Sequence, residues 1–193
     1  MKYMKEFAEH FSGKPVFSIS DVKRHFSHKK LSGKYLHTFI HNLRESGKIT
    51  RITRGIYTFK TDPNAAIFAF SPAYFGLQDA LSLKNLWEQE TNPVIITTRK
   101  IRPGTRTILG AKIIVRRISK KMFFGQETIK SGDMWLQVSD TEKTLIDFAY
   151  FNEPLGKETL KNMRKKINTK KLNAYLKRVS ERTQKKVRKL LKT

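Results

Sequence analysis

The chain of 193 residues contains no cysteine, which excludes disulfides, thiolate metal sites and cysteine nucleophiles together. Histidine is almost as restricted: His10, His25, His28, His37 and His41 are the full set. Nothing beyond residue 41 can therefore use imidazole as a base or ligand, and most hydrolytic triads are removed. No G-x-x-x-x-G-K-[ST] or G-x-G-x-x-G segment occurs, so ATP-driven and dinucleotide chemistry lose their usual phosphate cradles. Long apolar runs are missing too. The longest, AAIFAF from Ala65 to Phe70, falls far short of the ~20 residues a membrane span requires. The N-terminal MKYMKEFAEHF is charged every few residues and has neither an apolar stretch nor a small-residue cleavage site. No secretory signal is read, and the expected location is the cytoplasm.

Acidic residues are scarce. Against 40 Lys and Arg stand 16 Asp and Glu, a formal charge of +24, well beyond what solubility needs. The polyanion such a chain suits is nucleic acid. The excess is uneven: residues 1–60 hold 13 basic and 4 acidic groups, 61–154 hold 12 and 10, and 155–193 hold 15 and 2. A nearly balanced middle lies between two basic ends. The lysine-rich surface of a heat-adapted protein would raise glutamate alongside lysine; here acid is depleted. The stretch TDPNAAIFAFSP (61–72), with two prolines, is the best junction. The expected organisation is 1–60, 61–154 and a basic helical tail, 155–193.

In the first sixty residues Met4, Phe7, Ala8 and Phe11 are at helical spacing, and SGKP ends that helix. Ser20 can cap a second helix, DVKRHF, and Ser32 a third, GKYLHTFIHNLRES, whose Leu36, Phe39, Ile40 and Leu43 form an apolar stripe. Gly47 supplies the stop. The opposite face of the third helix offers Lys34, Tyr35, His37, Thr38, His41 and Arg44, donors of the kind that reach phosphates and base edges. Two candidate strands, KITRI and IYTF, follow, joined across TRG, with Gly55 at the turn and Arg51 and Arg54 at or near its tip. Three helices and a hairpin in this order predict a winged helix-turn-helix. Ile49 and Ile52 fall on opposite faces of one strand, so the register requires a bulge or an early strand start.

Downstream, Ser71-Pro72 reads as a cap and first turn opening the helix AYFGLQDALSLKNLW. The β-rich runs PVIITTR, AKIIVRRI and MWLQVSD suggest a small sheet. In SDTEKTLIDFAYF, Ser139 and Glu142 have the spacing of a capping box. From Leu155 onward, apolar residues recur at helical intervals among lysines and arginines. These amphipathic basic helices could pack on the sheet, lie along nucleic acid, or fold only on contact with an acidic partner. The fold class is thus α+β: an N-terminal winged helix-turn-helix, a small mixed α/β domain, and basic C-terminal helices.

At RGIYTF, YFGLQDALSLKNLW and VSDTEKTLIDFAYF the sequence resembles the AbiEi family of transcriptional regulators, the antitoxin side of type IV toxin-antitoxin systems. The resemblance spans about residues 1–152 and rests on Arg54-Gly55-Ile56-Tyr57, on Ala80-Leu81, and on the segment from Ser139 to Asp147. Lys143 stands where that family commonly has arginine, and the long basic tail is a further departure. The resemblance implies a repressor that binds inverted repeats at its own promoter, with a C-terminal domain that counteracts a nucleotidyltransferase toxin without a stable complex.

Two alternatives have their own residues. The basic tail could bind RNA, although Tyr175 is its only aromatic. Asp133, Asp140, Glu142 and Asp147 could hold Mg²⁺ for a nuclease, but no E-x-K triplet accompanies them. His37 and His41, four apart on one helical face, could chelate zinc, but they need at least one more ligand and lie on the proposed recognition helix. The expectation is a non-enzymatic regulator without metal or cofactor. It would read a promoter inverted repeat in double-stranded DNA through Lys34, Tyr35, His37, Thr38, His41, Arg44, Arg51 and Arg54, as a homodimer or by cooperative binding. No membrane is among its partners.

Overall fold

The computed structural model describes residues 3–29, 33–87, 89 and 91–192. The chain divides into two compact units, one comprising the residues through Ala69 with Thr107–Ala111, the other Phe70–Arg106 and the residues from Lys112 on.

The first unit opens with α1 (Met4–Phe11), β1 (Phe17–Ser18), α2 (Ile19–His25) and α3 (Gly33–Glu45), followed by β2 (Thr50–Thr53) and β3 (Ile56–Thr58). Its core is aromatic. Phe7 lies 5.0, 5.3 and 5.2 Å, ring centre to ring centre, from Phe11, Phe17 and Phe39. Around them are buried Val22, Phe26, Leu36, Ile40, Leu43, Ile49 and Tyr57. The cap of α2 is Ser18, two residues before the expected Ser20. Its hydroxyl accepts from the Asp21 N–H at 3.1 Å, and its own N–H donates to the Asp21 carboxylate at 2.8 Å. The sequence therefore holds a reciprocal S-x-x-D box that begins two residues before the expected cap. Ser18 takes this role because β1 pairs antiparallel with β3, Phe17 opposite Tyr57, and the strand delivers it to the helix start. The cap assigned to Ser32 falls outside the described residues.

The hairpin of β2 and β3 turns through Arg54 and Gly55, with Gly55 at φ 75° where only glycine is unstrained. The register shifts between Arg51 and Thr53. That irregularity, with Ile49 placed just before the strand, lets both Ile49 and Ile52 be buried. The stretch 61–72 is folded: Asp62 caps a 3-10 turn, Pro63–Ala65, and α4 (Ala66–Ala69) follows with Ala66, Ile67 and Ala69 buried.

The chain then forms β4 (Ala73–Phe75), α5 (Leu77–Ser82), β5 (Val94–Thr97), β6 (Gly104–Ile108), β7 (Ala111–Arg117), β8 (Gln126–Ser131) and β9 (Met134–Ser139). The six strands lie in the order β6-β7-β5-β4-β9-β8. The expected helix from Pro72 is corrected here: Ala73–Phe75 is a central strand, antiparallel to β5 and parallel to β9. All three residues are buried. A short strand covered on both faces shows no alternation, so its apolar run cannot be told from a helix by period. Helix begins only after Gly76, where a Cβ would sit 2.3 Å from Ile96 Cδ1.

Four helices complete this unit: α6 (Thr141–Phe151), α7 (Lys157–Lys166), α8 (Thr169–Leu176) and α9 (Glu181–Lys192). The cap of α6 is Asp140, which accepts from the Lys143 N–H at 2.7 Å. The expected Ser139–Glu142 box is not formed. Ser139 instead lies 2.7 Å, hydroxyl to hydroxyl, from Thr144, and Glu142 accepts the Asn168 N–H at 2.6 Å. From Glu142 to Ala149 every residue of α6 is buried. Of the three fates open to the tail, the structure shows packing: Leu160, Met163, Leu172, Leu176, Val179 and Val187 join Leu145, Ile146 and Phe148 in one core. Each such side chain contributes about 1.5–3 kcal/mol on burial.

Candidate nucleic-acid interface

Helix α3 buries Leu36, Phe39, Ile40 and Leu43 and presents Lys34, Tyr35, His37, Thr38, His41 and Arg44 to solvent. Arg51, on β2, and Arg54, at the hairpin turn, are exposed as well. All eight residues singled out in the sequence are thus outward-facing on one unit. They are not equally available. Among the described residues the side chains of Lys34, His37, Arg51 and Arg54 make no hydrogen bond or ion pair. Thr38 donates its hydroxyl back to the Lys34 carbonyl at 3.1 Å, as a helical threonine without another acceptor does. Tyr35 is 39% exposed, its ring 6.3 Å from those of Phe39 and Tyr3.

Arg44 is the most constrained. Its Nε and Nη2 donate to Glu45 Oε1 at 3.1 and 2.7 Å, and Nη2 lies 3.5 Å from His41 Nδ1. The hydrogen bond from Arg44 holds the Glu45 carboxyl below its usual range. A phosphate at this position would have to displace a carboxylate first.

The carboxylates weighed as Mg²⁺ ligands have other partners. Asp147 is fully buried; it is paired with Lys143, and Tyr74 donates to it at 3.0 Å. Lys143 donates to the Tyr74 hydroxyl at 2.8 Å. Burial pushes the Asp147 carboxyl up and the Lys143 ammonium down, and their mutual attraction opposes both shifts. Asp140 accepts from the Tyr175 hydroxyl and from Lys171, each at 2.9 Å. No group of three His, Asp or Glu able to hold a metal occurs among the described residues, and no helix among them is long and apolar enough to cross a membrane.

Sequence reasoning did not single out Tyr74, Lys171 or Asp79. Tyr74 lies 73 positions from Asp147 and Lys171 lies 31 positions from Asp140, a proximity that only the folded sheet and tail create. Asp79 is buried on α5 with Oδ2 unpartnered among the described residues. Only its place within an apolar helical pattern could have flagged it.

Three helices, a two-stranded wing and an exposed basic face on the third helix define a winged helix-turn-helix protein. More particularly, the model of the family described as "Transcriptional regulator, AbiEi antitoxin" matches residues 5–60, from α1 through β3. The match agrees, over those residues, with the family resemblance read from the sequence. No curated protein matches the chain. A solved structure, that of the RV2827C protein from Mycobacterium tuberculosis, is similar in fold, with a TM-score of 0.63 at 13% identity over 92% of this chain and 71% of that one.

Proposed function

We propose that the protein is a sequence-specific DNA-binding repressor of the AbiEi antitoxin type, acting on its own promoter. The observation that carries this reading is the solvent-facing surface of α3, where the Lys34 and His37 side chains have no partner among the described residues, together with the exposed Arg51 and Arg54 on the adjoining wing. In this arrangement α3 enters the major groove, with Lys34, Tyr35, His37, Thr38 and His41 reaching base edges or backbone, while the wing arginines reach adjacent phosphates or the minor groove. Two protomers, or two successive binding events, read an inverted repeat. The first unit is the DNA reader, and the second counteracts a nucleotidyltransferase toxin.

The test is a mobility shift with the full chain on DNA from upstream of its own coding sequence and on a scrambled duplex. Preference for the upstream DNA is expected, with a log-log salt slope near −5 if roughly six phosphates are neutralised. Equal affinity for both duplexes sinks the sequence-specific reading. Coexpression with a neighbouring nucleotidyltransferase tests the antitoxin arm by rescue of growth.

A further inference from the structure

The sheet of the second unit ends on one side in an open strand. Among the described residues β8, at the edge of the order β6-β7-β5-β4-β9-β8, pairs with β9 alone. The ladder runs from Gln126 opposite Ser139 to Ser131 opposite Met134 without a shift, and no residue of β8 is buried. Such an edge presents a row of unpaired N–H and C=O groups, which soluble proteins blunt with proline, a bulge or a very short strand. β8 has none of these devices. The opposite edge strand, β6, starts directly after Pro103, at Gly104.

The side of this hairpin turned away from the core carries an aromatic. Met134, Leu136 and Val138 of β9 are buried, while the exposed Trp135 and Gln137 stand opposite Lys130 and Thr128 of β8. Trp135 is 61% exposed, more than any other large apolar side chain among the described residues. The Lys130 ammonium lies 6.0 Å from its ring centre, which sets the indole beside the edge strand. Tryptophan is among the residue types that most often anchor protein contacts.

We infer that β8 is a self-association edge: it pairs antiparallel with the β8 of a second copy of this chain, and the Trp135 of each copy flanks the joint on one face of the continued sheet. Charge decides the occupant. The chain carries +24, so two copies repel over most of their surface. Residues 122–139 are different, with Lys130 as their one base against Glu127 and Asp133, and Glu127 is paired with Lys84 at 2.6 Å. A two-fold axis normal to the sheet sets opposite one another residues whose numbers sum to an even value, so the longest overlaps are centred on Thr128 or Ile129. Lys130 then faces Gln126 or Thr128 of the second copy, and Glu127 faces Ile129 or Ser131. No like charges meet in either register. Duplex DNA finds little to hold here, one lysine beside two acids. A single strand pair with two indoles buries less than the about 1,000 Å² of a stable interface, so the contact is weak and reversible. Two copies on one inverted repeat would meet at high effective concentration; that role rests on the repressor reading, whereas the contact itself does not.

Sedimentation velocity of the full chain across a concentration series, in salt high enough to screen the basic surfaces, is expected to show a monomer–dimer equilibrium. Trp135→Ser should weaken the dimer by about tenfold or more. Thr128→Lys should do the same, because it sets lysine against lysine in both registers. Both positions are exposed, and circular dichroism checks that each variant is folded. Because the chain has no cysteine, Thr128→Cys and Ile129→Cys report the two registers as disulfide-linked dimers under mild oxidation, with Thr105→Cys on the exposed part of β6 as the control. One of the two should crosslink much faster than the control. A chain that stays monomeric throughout the series overturns the inference and leaves the edge to a strand from a different protein. A dimer that both substitutions leave intact, or a control that crosslinks as fast, overturns it too. None of these readouts involves DNA, so loss of this contact and failure of the repressor reading in the mobility shift are told apart.

Discussion

Lys143 and Asp147 stand one turn apart on α6, each side chain at 0% exposure, and pair with each other in the middle of the second unit's core. The Tyr74 hydroxyl, brought by the central strand, donates to Asp147 and accepts from Lys143, so strand and helix are locked through one polar knot.

Removing one partner strands the other's charge. Lys143→Ala is expected to destabilise the second unit by about 3–5 kcal/mol. The double variant Lys143→Met, Asp147→Leu should recover most of that loss, since it buries no orphaned charge. Urea unfolding followed by circular dichroism measures both, and equal stability of the single and double variants would contradict the pairing.

Asp79 sets a pH dependence of its own. Burial raises its carboxyl from 3.8 to about 7, against the opposing hydrogen bond from the Val94 backbone. The folded chain thus holds a proton that the unfolded chain releases near 3.8. This contribution is fully present below the unfolded value, declines as pH climbs from about 4 to 7, and is gone above the folded value. Asp79→Asn keeps an acceptor for the Val94 N–H and has no charge to bury. It should flatten that part of the stability profile and raise stability at pH 8, by up to about 4 kcal/mol. Thermal melts at pH 5 and pH 8 give the comparison.

On the wing, Arg51→Ala and Arg54→Ala should each weaken binding to specific and scrambled duplexes alike, and lower the salt slope by about 1. If the double variant binds both duplexes as tightly as the wild type, the hairpin is scaffold.

The pairing of Arg44 with Glu45 makes an asymmetric prediction. Arg44→Ala should cost little DNA affinity, because its guanidinium is already engaged. Glu45→Gln should raise affinity a few-fold by releasing it and by removing a negative charge from the α3 surface. Fluorescence anisotropy on a labelled duplex distinguishes the two, and a large loss in Arg44→Ala would show that phosphate displaces the carboxylate.

The first unit was legible in the sequence because its signals are local and mutually consistent. The stripe Leu36, Phe39, Ile40, Leu43 faces the core, and Gly55 turns the hairpin at positive φ. The need for a bulge was readable from Ile49 and Ile52, and the register shift follows. The second unit was less legible where burial is complete. Ala73–Phe75 is covered on all sides, so it carries no polar face that fixes a period. Strands β6 and β8 are mostly polar and exposed, with burial only in part. Caps misplaced by one or two residues, Ser20 for Ser18 and Ser139 for Asp140, show a different limit. Several neighbouring residues can cap, and the incoming strand decides which one does.

The full enclosure of α6 also governs how this chain can be dissected. Cutting at residue 155 would strip the apolar cover of Leu160, Met163, Leu172, Leu176 and Val187 from it, leaving an oily, ion-paired rod facing water. A truncated protein that aggregates, or is degraded by cellular proteases, would look like loss of regulation. The lysines and arginines of the C-terminal helices are therefore separable from the fold only by exchanging side chains on the outer surface, never by shortening the polypeptide.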